Sequence, residues 1–370
     1  MSVSNDLYTD PRVDKVCRTL ADMGAEVTLI GCRHRHSPRI AQRNYQIRRL
    51  FLFFKKGAAF YAELNVKLFF YLLFRKFDLL VSNDLDTLLP NYLASRLRRK
   101  NIVYDSHEYF CHMVTVIHKP LVRKIWMRIE KFCFPRLEHI ITVSHSIAKA
   151  YQEQYGKEVK VVRNIPPEGK PPVTETRQSL GLPEDKAIIL MQGNDISANR
   201  GAEELVEAMP YVENGVLLFV GNGSLIEELK KRVRELNLGD KVFFVGRVDQ
   251  GKLFQYTYLS DIGASLERAT SLNQVYSLPN KIFEYIKAET PLLVSDLQER
   301  VSIIEHYRIG TIVRKTDPKT VSDAINEMIR NKELYAQYKE NCKIAARELT
   351  WENEQKVIRE IYTPLIIKNS

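Results

Sequence analysis

Residues 164–178 read NIPPEGKPPVTETRQ. Four prolines within this stretch, at 166, 167, 171 and 172, can continue neither a helix nor a central strand, so it reads as a linker. It divides the chain into residues 1–165 and residues 166–370. On either side, short β-branched runs alternate with longer patterns of helical period. The first half offers strands at Val27–Ile30, Leu79–Val81, Ile102–Tyr104, Ile140–Val143 and Val159–Val162. The second offers Ile188–Met191, Val216–Val220, Val242–Val245, Ile262–Ser265, Leu292–Val294 and Thr311–Val313. Helical patterns such as Ala202–Met209, Leu225–Leu236 and Lys281–Ala288 lie between them. Runs that are apolar throughout belong to parallel sheets covered on both faces. The expected fold is α/β, with two Rossmann-like, doubly wound domains facing across a cleft. Ligands in such folds gather at the carboxyl ends of the strands, at topological switch points. An opening strand should precede Asn5-Asp6, but only Met1–Ser4 are available, so it is either very short or incomplete.

The chain has 370 residues, 45% hydrophobic and 27% charged, which excludes a disordered, collagenous or disulfide-scaffold protein. Five cysteines (17, 32, 111, 133 and 342) contain no C-x-x-C pair, and the first ten residues contain no apolar core of a leader. A reducing, cytoplasmic location is the expectation. The net charge of +10 is concentrated: residues 1–165 hold 28 basic and 15 acidic residues, whereas residues 166–370 hold 27 and 30. Residues 33–76 alone carry eleven basic residues against Glu63. The first half therefore expects an anionic partner, either a nucleic acid or an anionic membrane.

Three stretches could carry chemistry in the second half. In SLPNKIFEYIKAETPLLVSD (277–296), Pro279 suits the first turn of a helix and Ser277 can cap it. Lys281 and Glu284 then share a face near the helix start. They form either a surface ion pair or a site for an anion and a diol. In QGNDISANRGAEELVEAM (192–209), Gly193 permits a tight turn, and Arg200-Gly201 opens a helix where a guanidinium can grip a phosphate. FVGNGSL (219–225) places Gly221, Asn222 and Gly223 after a strand, where a backbone can approach a ligand. In the first half, VYDSHEYF (103–110) puts His107 and Glu108 directly after a strand, in either a structural or a catalytic role. There is no H-E-x-x-H, G-x-S-x-G or G-x-x-x-x-G-K-[ST] pattern, so metalloprotease, serine-hydrolase and P-loop readings lack support.

Together these pieces resemble glycosyltransferase family 4 enzymes of the GT-B fold, over nearly the whole chain. DPRVDKVCRTLADMGAEVTLIG (10–31), YDSHE (104–108), TVSHSIAKAY (142–151) and VVRNIPP (161–167) resemble the landmarks of the N-terminal domain. Gly193, Arg200-Gly201, FVGNG (219–223) and LPNKIFEY (278–285) resemble the donor site. WENEQKVIREIY (351–362) resembles the C-terminal helix that crosses back to the N-terminal domain. The resemblance implies an acceptor domain at 1–165, a donor domain at 166–350 and a returning helix at 351–370. It implies that Glu284 holds the ribose hydroxyls of a UDP- or GDP-linked sugar. Arg200 and Lys281 would neutralise the diphosphate, helped by backbone around Gly193, Asn194, Ser277, Leu278, Pro279 and Asn280. His107 would sit beside the transferred sugar, with Asn5, Asp6, Arg12 and Glu108 on the acceptor side. Transfer would retain anomeric configuration and need neither metal nor cofactor. Two positions depart from the family: Tyr276 stands where a glutamate usually precedes Glu284 by eight residues, and Asn194 follows Gly193 where many relatives have Arg or Lys. Glu267, seventeen residues before Glu284, is out of register to replace the missing glutamate.

Residues 33–76 place Phe54, Ala58, Tyr61, Leu64, Leu68 and Tyr71 at helical spacing, and lysines interrupt any apolar run long enough to span a bilayer. The segment reads as an interfacial amphipathic helix or hairpin at the inner face of the cell membrane, or as an ordinary domain helix. Nucleic acid is disfavoured because no binding motif accompanies the charge. The expected function is transfer of a sugar to a polysaccharide or lipid-linked acceptor. The alternatives are a non-catalytic binding subunit of the same fold and a sugar-nucleotide epimerase.

Overall fold

The structure, a computed structural model, describes all residues except Thr9, His36 and residues 368–370. The chain forms two compact units. One comprises residues 1–164, 271–277 and 352 onward, and the other residues 165–270 and 278–351.

The first unit contains β1 (Thr28–Arg33), β2 (Gln46–Phe51), β3 (Leu79–Asn83), β4 (Asn101–Ser106), β5 (His139–Thr142) and β6 (Lys160–Val161). All pairings are parallel: β2 with β1, and β3-β4-β5-β6 in sequence. Ser2 bridges the two groups, pairing with Ile30 on one side and Ser82 on the other. Its N–H donates to Val81 O and that of Val3 to Ile30 O, both at 2.9 Å. The opening strand is thus present as a single bridging residue.

The basic segment is not one helix or hairpin. Its first part includes the edge strand β2, and Gly57–Phe74 is a helix. Phe60, Leu64, Leu68 and Leu72 pack onto Ile30, Cys32 and Leu80, so the buried stripe is offset from the expected one. Phe54 lies before the helix and is exposed, as is Ala58. Among the described residues this is the one helix long and apolar enough by composition to cross a membrane, although its inner face is occupied by the domain core. Glu63 accepts from the N–H groups of Phe53 and Phe54 and pairs with Lys67, fixing the entry to the helix.

The helix Trp351–Ile367 joins the first unit from Glu352 onward. Glu354 accepts from Arg163 at 2.6 Å, and Ile358 and Tyr362 are buried. The expected 166–350 domain loses Ser271–Ser277 to the first unit. Asn273 accepts from the Tyr109 N–H at 2.8 Å and donates to Glu108, while the Tyr276 ring lies 6.1 Å from that of Tyr109. All five cysteines are free and buried.

The second unit contains β7 (Ala187–Gly193), β8 (Gly215–Gly221), β9 (Val242–Gly246), β10 (Ile262–Ser265), β11 (Leu292–Ser295) and β12 (Gly310–Val313). The sheet is parallel in the order β12-β11-β10-β7-β8-β9. This is the doubly wound order, with the switch point between β7 and β10. One core layer gathers Ile189, Leu217 and Phe219, and the other Ile188, Leu190 and Ile286. That division reflects the period-two alternation of buried strands.

Candidate active site

At the switch point of the second unit, β7 ends in Gln192-Gly193 and β10 in Ser265. Gln192 is buried and its Nε2 donates to Glu284, while its Oε1 accepts from Thr257 Oγ1 at 2.7 Å. Glu284 lies on the helix Asn280–Lys287, whose opposite face buries Ile282, Phe283 and Ile286. That helix is seated by Tyr285, whose hydroxyl lies 3.2 Å from both Leu190 O and Ala264 O, one on each side of the switch point. The sheet and helix therefore fix Glu284 at the strand ends, with its amide partner already in place. Lys281 on the same helix is buried, and its ammonium lies 2.9 Å from Glu267. Arg200 is half-buried, with Nε donating to Ser197 Oγ at 3.2 Å. Gly201 has φ +89°, and a Cβ there would meet Leu266 Cβ at 2.4 Å, so only glycine fits.

In the first unit, Arg12 and Asp105 form a buried bidentate pair at 2.6 and 3.2 Å, and Arg12 also donates to Val162 O. His107 lies between two carboxylates: Nδ1 is 3.5 Å from Asp84 and Nε2 is 3.4 Å from Asp105. Burial pushes the imidazole pKa down, but the two carboxylates outweigh it and hold it up at about 9. Burial raises Asp84. Burial, reinforced by the Asp84 charge, brings Asp86 up to about 7, where it accepts from Ser4 Oγ at 2.5 Å. The two carboxylates thus favour the protonated ring, which is a poor base at neutral pH.

Residues 12–165 match Glycosyltransferase Family 4, and residues 172–344 match Glycosyl transferases group 1. The two matches show that the chain carries glycosyltransferase family 4 domains. Among curated family 4-type relatives, it is 22% identical over 243 residues to N-acetyl-alpha-D-glucosaminyl L-malate synthase of Bacillus anthracis, covering 63% of this chain and 60% of that protein. It is 24% identical over 160 residues to a GDP-mannose-dependent alpha-(1-6)-phosphatidylinositol monomannoside mannosyltransferase of Mycobacterium tuberculosis, covering 42% and 41%. The match thus spans less than two thirds of each relative's length. Similar solved folds include sucrose-phosphate synthase from Thermosynechococcus elongatus (TM-score 0.75, 19% identity, 96% and 93% covered). Another is Anabaena HepE in complex with UDP-glucose (TM-score 0.74, 15% identity, 98% of each chain). These likenesses establish the GT-B fold.

In the second unit Gly193 closes β7, Arg200 stands in the loop after it, and Lys281 and Glu284 lie on the helix Asn280–Lys287. The other residues singled out in the sequence make the following contacts. Gly221 and Gly223 serve the fold: Cβ atoms there would strike Gly193 O and the Ile196 backbone, so they seat β8 against the loop after β7. Asn222 is exposed and accepts from the Gly223 N–H at 2.8 Å, and Asn194 is exposed. Ser277 does not cap the following helix; it donates to Gln274 O at 3.1 Å and belongs to the first unit. Pro279 occupies the cap position itself, Asn280 is the exposed first residue and Leu278 packs on the core. Asn5 orders its own loop through Leu7 N–H and Asp10, and Asp6 accepts from the Tyr8 N–H. Arg12 is locked to Asp105 and braces the end of β4. Glu108 is held by Asn273. Sequence reading passed over Asp84, Asp105, Gln192 and Arg300; only the adjacency of Asp105 to His107 in YDSHE hinted at one of them.

Proposed function

We propose that this chain transfers a sugar from a UDP- or GDP-linked donor, bound by the second unit, to a polysaccharide or lipid-linked acceptor. The observation that carries the reading is Glu284, fixed by Gln192 at the switch point, with Lys281 on the same helix and Arg200 in the loop after β7. A carboxylate held in this way accepts hydrogen bonds from a vicinal diol, and the cations offset charge developing on the departing diphosphate. Side-chain cations would fill the place a metal takes in other transferases. A protonated His107 is unsuited to deprotonating an acceptor at neutral pH, which favours retention of configuration over base-assisted inversion. HepE, of the same fold, binds UDP-glucose, and this supports a uridine nucleotide among the donors to test first.

We further propose that the first unit rests on an anionic lipid surface. The outer side of the helix Gly57–Phe74 exposes Val66, Phe70 and Phe74, preceded by exposed Phe53 and Phe54. Lys55, Lys56, Arg75 and Lys76 flank these side chains and are also exposed. Apolar insertion beside basic residues is the chemistry of interfacial binding.

Calorimetry with UDP, GDP, ADP, CMP and TDP on wild type and Glu284→Ala tests the donor reading. One nucleoside diphosphate should bind wild type and lose about tenfold or more in affinity in the variant, the loss expected for a charged hydrogen-bond partner. Equal binding by both proteins would remove Glu284 from the site.

A further inference from the structure

Glu267 lies just beyond the carboxyl end of β10 and is 3% exposed. Three groups converge on it. Ser265 Oγ donates to Oε2 at 2.7 Å, Lys281 Nζ lies 2.9 Å from Oε1, and Arg300 Nε lies 3.4 Å from Oε2. Arg300 comes from the helix Gln298–Tyr307 and is 1% exposed. Here a single buried carboxylate faces two buried cations. Burial and the neighbouring Arg200 charge both act to lower the Arg300 pKa, whereas Lys281 and Arg300 hold Glu267 down at about 2 against burial.

A lysine stem is flexible and its ammonium strongly hydrated, so unaided it would turn toward solvent. Glu267 prevents this, but a one-to-one Lys281–Glu267 pair would be neutral and would attract no anion. With Arg300 on the same carboxylate, the three side chains carry a net single positive charge beside Arg200. We propose that Glu267 and Arg300 are positioning residues for diphosphate recognition: Glu267 orients the Lys281 ammonium, and Arg300 keeps the cluster positive toward the incoming phosphates. The inference rests on the donor reading above and adds Arg300 to the groups that set selectivity for a diphosphate.

The test compares wild type, Arg300→Met, Arg300→Lys and Glu267→Gln by calorimetry. The probes are UDP and GDP, with uridine and guanosine as controls, and melting curves monitor folding. Arg300→Met should weaken the bound diphosphate by about tenfold while leaving the nucleoside within about twofold, because one unit charge is lost at close range. Arg300→Lys should restore most of the difference. Glu267→Gln should also weaken the diphosphate more than the nucleoside, since the amide no longer holds the Lys281 ammonium in place. Equal losses for nucleoside and diphosphate in Arg300→Met would reveal a merely structural role and overturn the inference. If that variant does not fold, undiminished diphosphate binding by folded Glu267→Gln overturns it instead. Wild type binding neither diphosphate would overturn the donor reading and this inference together, whereas the variant outcomes bear on the inference alone.

Discussion

Nε2 of His107 lies 3.4 Å from a carboxylate oxygen of Asp105, and Asp105 is in turn gripped by Arg12. The ring is therefore charged inside the folded first unit. Its folded pKa of about 9 exceeds the ordinary 6.5, so the folded chain holds this proton more tightly than the unfolded chain. The resulting stability is fully present below pH 6.5 and is lost as pH rises through about 9. Wild type should be more stable than His107→Gln at neutral pH by on the order of 2–3 kcal/mol, and the gap should close on the alkaline side. Denaturant melts of both proteins across that range check it. A gap independent of pH would mean a neutral ring.

Arg12→Met should destabilise the protein by about 3–5 kcal/mol, because it removes the bidentate partner of the buried Asp105 carboxylate and leaves only the more distant His107. Lys319→Met, which breaks an exposed pair with Asp323, should cost under about 1 kcal/mol. Thermal melts of the two variants measure the contrast. Similar small losses in both would place Arg12 outside the framework.

Gly201→Ala should cost about 1–3 kcal/mol, since it combines an unfavourable left-handed residue with a clash against Leu266. Gly239→Ala makes a useful control, because a Cβ there has nothing within 4 Å. Chemical denaturation should separate the two.

A Phe70→Ser/Phe74→Ser double variant should lose most binding to vesicles containing phosphatidylglycerol while melting within a few degrees of wild type, since both side chains already face solvent. Sedimentation with phosphatidylglycerol and phosphatidylcholine vesicles reads this out. Undiminished binding to the anionic vesicles would move the contact elsewhere on the protein.

Among the described residues, eleven of the twelve strands are legible as apolar runs, and the linker prolines fall between β6 and β7. The missed strand, β2, reads QIRRLF. It pairs with β1 alone, so its outward positions tolerate arginine and the apolar run that marks a central strand is absent. The helix after it was recognised but rotated. Its outer side carries Ala58, Ala62, Val66, Phe70 and Phe74, leaving no polar face to set the phase.

The candidate site divides along the same line. Glu284 and Lys281 were readable from LPNKIFEY because both sit within one helical turn. Glu267 is out of register with Glu284 along the chain, yet the crossover from β10 to the helix Asn280–Lys287 brings it to 2.9 Å from Lys281. Gly221 and Gly223 were readable as special positions but not as contacts of the β7 loop, which lies in a different part of the chain.

The sequence by itself determined the two α/β units, the linker between them and the helix carrying Glu284. Proline geometry, apolar runs and helical spacing act over a few residues and are written locally. Only the tertiary structure decided which charges meet: Arg12 with Asp105, His107 with Asp84, and Lys281 and Arg300 on Glu267. Buried charges demand partners wherever the fold supplies them, and in parallel sheets every neighbouring strand end is reached through a long crossover. The pairing is therefore set by strand order rather than by distance along the chain.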